Sequence, residues 1–452
     1  MLQLIFKQKP KQGENMIKIQ TTRENIESKG GLFLAGKLAA KAGLNAIKSA
    51  FVNSAATVII SMYALMLEGK STFESTGEKR HSQFFKEAFG LDFVYAKETV
   101  RLYLEKMSDD ADGIIKQLRE SSVKIIEKAP LHGIWIDKRH YLPVDIDTLA
   151  LDNSKSNKEG VSRTYRRFDG FHPIMAYAGK EGYMLDCELR PGSQRCQNGT
   201  PAFIESVIEQ LKKIQKGGRF LFRFDSGNDA WETLKAIACA GKGHCCIIKR
   251  NNRRENEQEW LERARRGGVR TDPREGKKVW TGRTRNIHPQ KKDEYIPEMH
   301  CVYEIIERKT NSKGERFLFP DIEVNLWWTN LDCSAEKVIE LYHGHATSEQ
   351  FHSELKHDMD IERLPSGKFA VNKMLLAIAM NAYNTLRFLG QKSVEPETPA
   401  KHRRKRLGKV ISDIICIAGK LIKHAGCFIL KIYEKDPMLP VFLRLNAALD
   451  SP

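Results

Sequence analysis

Three carboxylates far apart in the chain are the residues most able to do chemistry together: Asp147, Asp225 and Glu349. Asp147 lies near the end of the strand-like run Tyr141-Leu-Pro-Val-Asp-Ile-Asp147-Thr-Leu, and Asp225 ends the buried run Arg219-Phe-Leu-Phe-Arg-Phe-Asp225. Glu349 sits in Tyr342-His-Gly-His-Ala-Thr-Ser-Glu-Gln-Phe-His-Ser-Glu-Leu-Lys356, which reads as one helix. Tyr342, His345, Glu349 and Lys356 follow one another at spacings of three, four and seven, so a helix places them on one face. A phenol, an imidazole, an acid and a cation on one face of a basic chain suit a site that handles phosphate. A solvated, charged helix face would show the same spacing. Clustered carboxylates repel one another unless cations hold them together. Mg²⁺ prefers oxygen ligands and keeps part of its water. Two such ions about 4 Å apart can activate a water or a 3′-hydroxyl and stabilise the leaving 3′-oxygen. Any one strand-end Asp is more simply a turn or helix cap, and Asp225 before Ser226-Gly227 fits that role. Three acids in this order in a basic chain favour the metal. Asp145 would share a strand face with Asp147 and is its rival, and Asp229 is a weaker rival of Asp225.

The elements that must position these acids read as follows. Gly30-Gly31 to about Glu127 is helical, including a buried helix from Phe51 to Leu67, with basic residues interleaved among aromatics. Either a small helical DNA-binding domain or a helical domain with a solvated face would look like this. From Leu131 the texture turns to strands: Ile134-Trp-Ile, the Asp147 run, then His172 to Ala178 and Tyr183 to Leu189, joined by Gly179-Lys-Glu-Gly182 as a hairpin. A helix over Pro201 to Lys213, the Asp225 strand, a helix over Asp229 to Cys239 and a strand over Cys245 to Lys249 complete the order of a ribonuclease-H-like mixed sheet. The predicted fold is therefore α/β: a ribonuclease-H-like mixed-sheet core with an inserted β-rich subdomain, flanked by helical terminal regions. The division is 1–130 helical and DNA-binding, 131–250 first part of the core, 251–330 insertion, 331–390 last part of the core, and 391–452 a basic helical end. That last region carries His402-Arg-Arg-Lys-Arg406 and a basic amphipathic helix through Ile422, able to bind DNA backbone or simply to face water.

At 452 residues the chain can bury a large core, and a net charge of +17 favours a polyanionic partner, nucleic acid above all. Nine cysteines without a CxxC pair argue against a zinc ribbon or disulfide framework and for a reducing cytoplasm. Leu2 to Phe6 is too short for a secretory signal, and Ala50 to Leu67 carries too many polar residues for a membrane span.

Asp147-Thr, Phe224-Asp225-Ser-Gly and the Tyr342, His345, Glu349, Lys356 spacing together resemble the motifs of DDE-type insertion-sequence transposases with an inserted β-domain. The branch they resemble most is the one named IS thirteen-eighty, with its Tyr-x2-Arg-x3-Glu-x6-Lys signature, and the likeness spans roughly residues 131 to 390. The resemblance implies a bacterial enzyme that cuts at the inverted repeats of its mobile element and joins 3′-OH ends to target DNA. It implies metal binding by Asp147, Asp225 and Glu349, with Mg²⁺ as cofactor and Mn²⁺ able to substitute. It implies contacts from Tyr342 and Lys356 to double-stranded DNA near the cut, and a homodimer that pairs two ends. His345 departs from the family's Arg, because imidazole cannot make the guanidinium's two-pronged phosphate contact. In the insertion, Trp280 beside Arg283 is the candidate for stacking on an extruded base, with packing in the insertion's own core as the alternative. Arg403 and Arg404 are the candidates in the tail. A nuclease without strand transfer would need the same acids, and a regulator that no longer cleaves would need none of them.

Overall fold

The computed structural model describes residues 24–241, 243–252, 255–285, 299–394 and 404–450. Its centre is a mixed sheet of ten strands among these residues: β1 (Ile134–Ile136), β2 (Arg139–Thr148), β3 (Ile174–Ala178), β4 (Tyr183–Glu188), β5 (Phe220–Phe224), β6 (Cys245–Lys249), β7 (Val269–Arg274), β8 (Lys277–Thr284), β9 (His300–Thr310) and β10 (Arg316–Thr329). The spatial order is β4-β3-β2-β5-β6-β10-β9-β8-β7, with β1 paired to β2. Strands β2, β5 and β6 run parallel, and the remaining neighbours are antiparallel. Hydrophobic strands such as Phe220-Leu-Phe-Arg-Phe224 are buried on both faces, as parallel strands covered by helices must be.

The strands of the 251–330 segment, expected as a separate insertion, join the same sheet. The last residues of β10 pair with β6 (Ile247 with Thr329), so the insertion extends the sheet edge to edge. Trp327 and Trp328 at the end of β10 are buried, 2% and 1% exposed. Helix Glu257–Gly267 covers this part of the sheet through Trp260, Leu261 and Ala264.

On the β4 side, helix Phe369–Lys392 is buried nearly all round, which requires partners for its polar side chains. Asn384 bonds both the N–H and the carbonyl of Met184 at 2.8 Å and donates to Ser122 at 2.7 Å. Asn381 donates to the Leu118 carbonyl at 3.0 Å, and Thr385 meets the Tyr63 hydroxyl at 2.8 Å. These bonds tie helices Ala55–Leu67 and Ala111–Glu127 to the sheet, and all share one hydrophobic core. Among the described residues no helix is long and apolar enough to cross a membrane.

Two expectations are overturned. The basic helix expected through Ile422 is present only as Leu407–Val410 and the π-turn Ile411–Ile415; the chain then forms a hairpin, Ala418–His424 with Cys427–Ile432, to which Ile26–Ser28 adds a third strand. Its two-residue turn, Ala425-Gly426, has φ of 46° and 80°, the left-handed pair that a tight hairpin requires. A helix does follow, at Leu439–Asp450. The second concerns Tyr342 to Lys356, which is helical throughout but not one regular α-helix. It divides into helix Ala335–His343, a 3₁₀ turn Gly344–Thr347, helix Ser348–Ser353 and a π-turn Glu354–Asp358. The break has a cause: Arg223 Nη1 donates to the Leu341 carbonyl at 2.8 Å, and a Cβ on Gly344 would come within 2.4 Å of the same nitrogen.

Candidate active site

Parallel pairing of β2 and β5 sets Ile146 opposite Phe224, and the next residue on each strand is an acid, Asp147 and Asp225. The Thr148 N–H donates to Asp147 Oδ1 at 2.7 Å, and the Ser348 hydroxyl donates to its Oδ2 at 3.3 Å. The second bond docks the Glu349 helix onto the first acid. Burial and then the neighbouring Asp225 charge push the Asp147 carboxyl up to about 7. Asp225 Oδ1 accepts from the Gly227 N–H at 3.2 Å and from Asn228 Nδ2 at 2.9 Å, so the turn-cap reading of Asp225 also holds.

Both rival acids are committed elsewhere. Asp145 is 2% exposed and takes a two-point ion pair from Arg223, Nε to Oδ1 and Nη2 to Oδ2, each 2.7 Å. Burial opposes its charge, but Arg223 and His345 hold its carboxyl below the usual range. Asp229 accepts from Trp328 Nε1 at 3.0 Å and from the Asn251 N–H at 2.8 Å, and so anchors β10 and the loop after β6.

His345, a candidate DNA contact by position, turns inward instead. Its Nδ1 lies 2.8 Å from Asp145 Oδ1, and 6% of the residue is exposed. Burial opposes protonation, but the bond to Asp145 holds its pKa above the ordinary value. Tyr342 is half-buried between Trp327 and His345, with ring centroids 5.7 and 5.8 Å away, and burial followed by Asp225 raises its pKa. Lys356 pairs with Glu362 at 2.6 Å. Trp280 is 5% exposed and packs in the core of the insertion, 5.9 Å from the Arg265 guanidinium, so its core reading replaces the stacking one. Arg283 donates to the Leu331 carbonyl. Arg404 donates to Gln350 and lies over the Phe351 ring at 4.8 Å, against the Glu349 helix. Arg403 lies outside the described residues.

Three residues near the acids were missed. His352 Nδ1 stands 3.8 Å from Asp147 Oδ2, but burial lowers its pKa to about 3, which makes it a neutral neighbour and not an ion pair. Arg166, in the basic loop after β2, feels the charges of both Asp147 and Glu349. Arg223 had a readable signal: Asp145 and Asp147 are two apart on β2, and Arg223 and Asp225 are two apart at the end of β5, so the inner pair had to meet if the outer pair did.

The two adjacent acids suit a hard divalent cation: both offer oxygen, and the Asp147 pKa is raised first by burial and then by the neighbouring Asp225 charge, both of which a cation would offset. Glu349 is exposed and does not join them, and among the described residues no group of three His, Cys, Asp or Glu side chains stands ready to hold a metal.

No curated protein matches the chain. Among solved structures, the cryo-EM structure of the piggyBac transposase synaptic complex with hairpin DNA is similar at 10% identity and a TM-score of 0.42, over 85% of this chain and 78% of that one. The family model described as transposase DDE domain group 1 matches residues 104–451, about three quarters of the chain, and the chain belongs to that family.

Proposed function

We propose that the chain is a DNA transposase that cuts at the terminal inverted repeats of its own element and joins the 3′-OH ends to target DNA. The observation that carries this is the side-by-side placement of Asp147 and Asp225 at the ends of adjacent parallel strands in a chain of the transposase DDE family. The β4-β3-β2-β5-β6 order supports a ribonuclease-H-like core for residues 131–250 and 331–390. The Tyr342, Glu349 and Lys356 spacing supports the IS thirteen-eighty branch.

Asp147 and Asp225 would hold Mg²⁺ or Mn²⁺, with Glu349 drawn in as the third acid, and the metal would supply an activated water or 3′-hydroxyl and stabilise the leaving 3′-oxygen. The protein's own contributions are separable. Thr148 and Ser348 fix the Asp147 carboxylate. Asp145 and Arg223 lock the two strands one step below the acids. Arg166 supplies positive charge beside Asp147 and Glu349, where a DNA phosphate would lie. The net charge of +17 favours double-stranded DNA as partner. Two ends to be joined favour a homodimer, and nine free thiols favour a reducing cytoplasm.

The test is cleavage of a duplex bearing the element's end, with and without Mg²⁺, by the wild-type chain and Glu349→Gln. Metal-dependent cutting at the end boundary, lost in the variant while DNA binding persists, is the expected result. A wild-type chain that binds but cuts with neither Mg²⁺ nor Mn²⁺ overturns the reading and leaves a DNA-binding regulator. Cutting with no joined product leaves a nuclease.

A further inference from the structure

The hairpin of β9 and β10 runs past the acid pair as an arm. Phe224 pairs with Ile248 and Lys249 pairs with Trp327, so the row of Asp225 crosses β10 at Trp327. Because β10 is antiparallel to β6, its lower-numbered residues lie beyond the carboxyl ends of β2, β5 and β6, the end that carries Asp147 and Asp225. From Trp327 back to Asp321 the strand rises roughly 20 Å, at about 3.3 Å per residue. There the ladder slips. Arg308 pairs with Asp321, but the next pairing is Thr310 with Arg316. Unbroken register would set Thr310 opposite Phe319, so the excess residues of β10 fall within Phe317-Leu318-Phe319-Pro320. Phe317, Leu318 and Phe319 are 41%, 90% and 78% exposed.

The backbone is held on both sides of this bulge. Arg308 meets Asp321 at 3.0 Å and also pairs with Glu323. Arg274 donates to the Thr310 hydroxyl at 2.8 Å and to its carbonyl at 2.9 Å, and the Lys309 N–H donates to the Gly276 carbonyl at 2.7 Å. The Asn311 side-chain oxygen accepts from the N–H groups of Lys313 and Glu315 at 2.9 and 3.0 Å and fixes the turn. The apolar triplet therefore projects from a braced arm.

Three consecutive exposed apolar residues mark an interaction surface, and the charge around them selects the partner. Lys309, Lys313 and Arg316 flank the triplet, and among the described residues none of them forms an ion pair. Lys277 and Lys278, paired with Arg308 and Glu307 across the neighbouring strand, add to them. Glu275 and Glu315 oppose a polyanion, but Glu315 is engaged by Asn311 Nδ2 at 2.5 Å. A second copy of a chain with net charge +17 would bring further positive charge to these cations. Duplex DNA offers phosphates to the cations and stacked base pairs to an apolar wedge.

We propose that the β9–β10 arm lays its cations on DNA phosphates and inserts Phe317-Leu318-Phe319 between base pairs from the minor groove, bending the duplex. At 3.4 Å per base pair, the roughly 20 Å offset sets the bend about six base pairs from the acids. Unstacking one step opposes insertion, and the bend offsets it by bringing more DNA onto the basic surface. This inference rests on DNA as the partner proposed above, but not on cutting.

The probe is a duplex bearing the element's end and its flank, with a dye at each terminus, titrated with the full-length chain without Mg²⁺. Wild type should bind it and raise energy transfer between the dyes. Phe317→Ser/Leu318→Ser/Phe319→Ser should keep the wild-type melting temperature, bind about 10-fold or more weakly and lose that rise at saturation. Leu318→Ser alone, at the most exposed position, should move both readouts in the same direction. Lys313→Ala/Arg316→Ala should flatten the slope of log affinity against log salt by up to about 2. An undiminished rise in energy transfer in the triple variant overturns the wedge. If that variant also sediments as a smaller species, the triplet belongs to a contact between copies instead. A chain that binds and bends DNA but never cuts it overturns the function above and leaves the arm standing. Cutting without a bend overturns the arm alone, and a wild type that binds no DNA overturns both.

Discussion

Asp145 and Arg223 face each other across the parallel pair β2 and β5 in a two-point ion pair, two residues before Asp147 and Asp225 on the same strands. The inner pair neutralises itself, and the outer pair is two like charges. Arg223 also reaches the Leu341 carbonyl, so one guanidinium ties the strand pair to the helical segment that carries Glu349. Arg223→Met should leave Asp145 as a buried charge without its main partner and destabilise the fold by about 3–5 kcal/mol. Adding Asp145→Asn should recover much of that loss, and a double-mutant cycle in urea measures the coupling.

The two aspartates of β2 should separate by function. Asp147→Asn should abolish Mg²⁺-dependent cleavage and the rise in melting temperature that Mg²⁺ gives the wild type. Asp145→Asn should lower stability and keep the Mg²⁺-induced rise. Thermal melts with Mg²⁺ and with a chelator check both; a Mg²⁺ effect that survives in Asp147→Asn would exclude Asp147 as a ligand.

The pH dependence of the metal-free protein follows from Asp147. Its pKa rises from 3.8 to about 7 on folding, so between those values the native state binds more protons than the unfolded one. Stability from this group is therefore full below pH 3.8 and is lost as pH rises through about 7. In chelator, Asp147→Asn should be more stable than wild type at pH 8, by on the order of 1 kcal/mol or more, with the difference vanishing toward pH 4. Denaturation at several pH values checks the sign, and Mg²⁺ should shrink the difference at pH 8.

Trp280 should behave as a core residue. Trp280→Ala should destabilise the chain by about 3–5 kcal/mol. Trp280→Phe, which keeps most of the packing, should retain DNA cleavage. A Phe variant with wild-type stability that no longer cuts would restore a direct role at the DNA.

Periodicity made most of the fold legible. The β2 to β6 strands, the two helices between them and the hairpin at Gly179–Gly182 depend on local alternation and turn residues, which the chain displays directly. The tail hairpin was hidden because charge density around residues 402–409 outweighs the short Ala425-Gly426 turn signal in any local reading.

The sequence by itself determined the chemistry available: which side chains carry acid, and that Asp147, Asp225 and Glu349 end or follow elements able to display them. Tertiary structure alone decided which acid is free. Asp145 and Asp147 share a strand face and a local context, and only the opposing Arg223 and the inward turn of His345 neutralise one and leave the other, its pKa raised, beside Asp225. It also decided that Trp280 is core and that the Glu349 helix breaks at Gly344, because both depend on atoms brought from distant segments. A charge is a property of one residue, but its neutralisation is a property of two, and the second residue's position is set only by the fold.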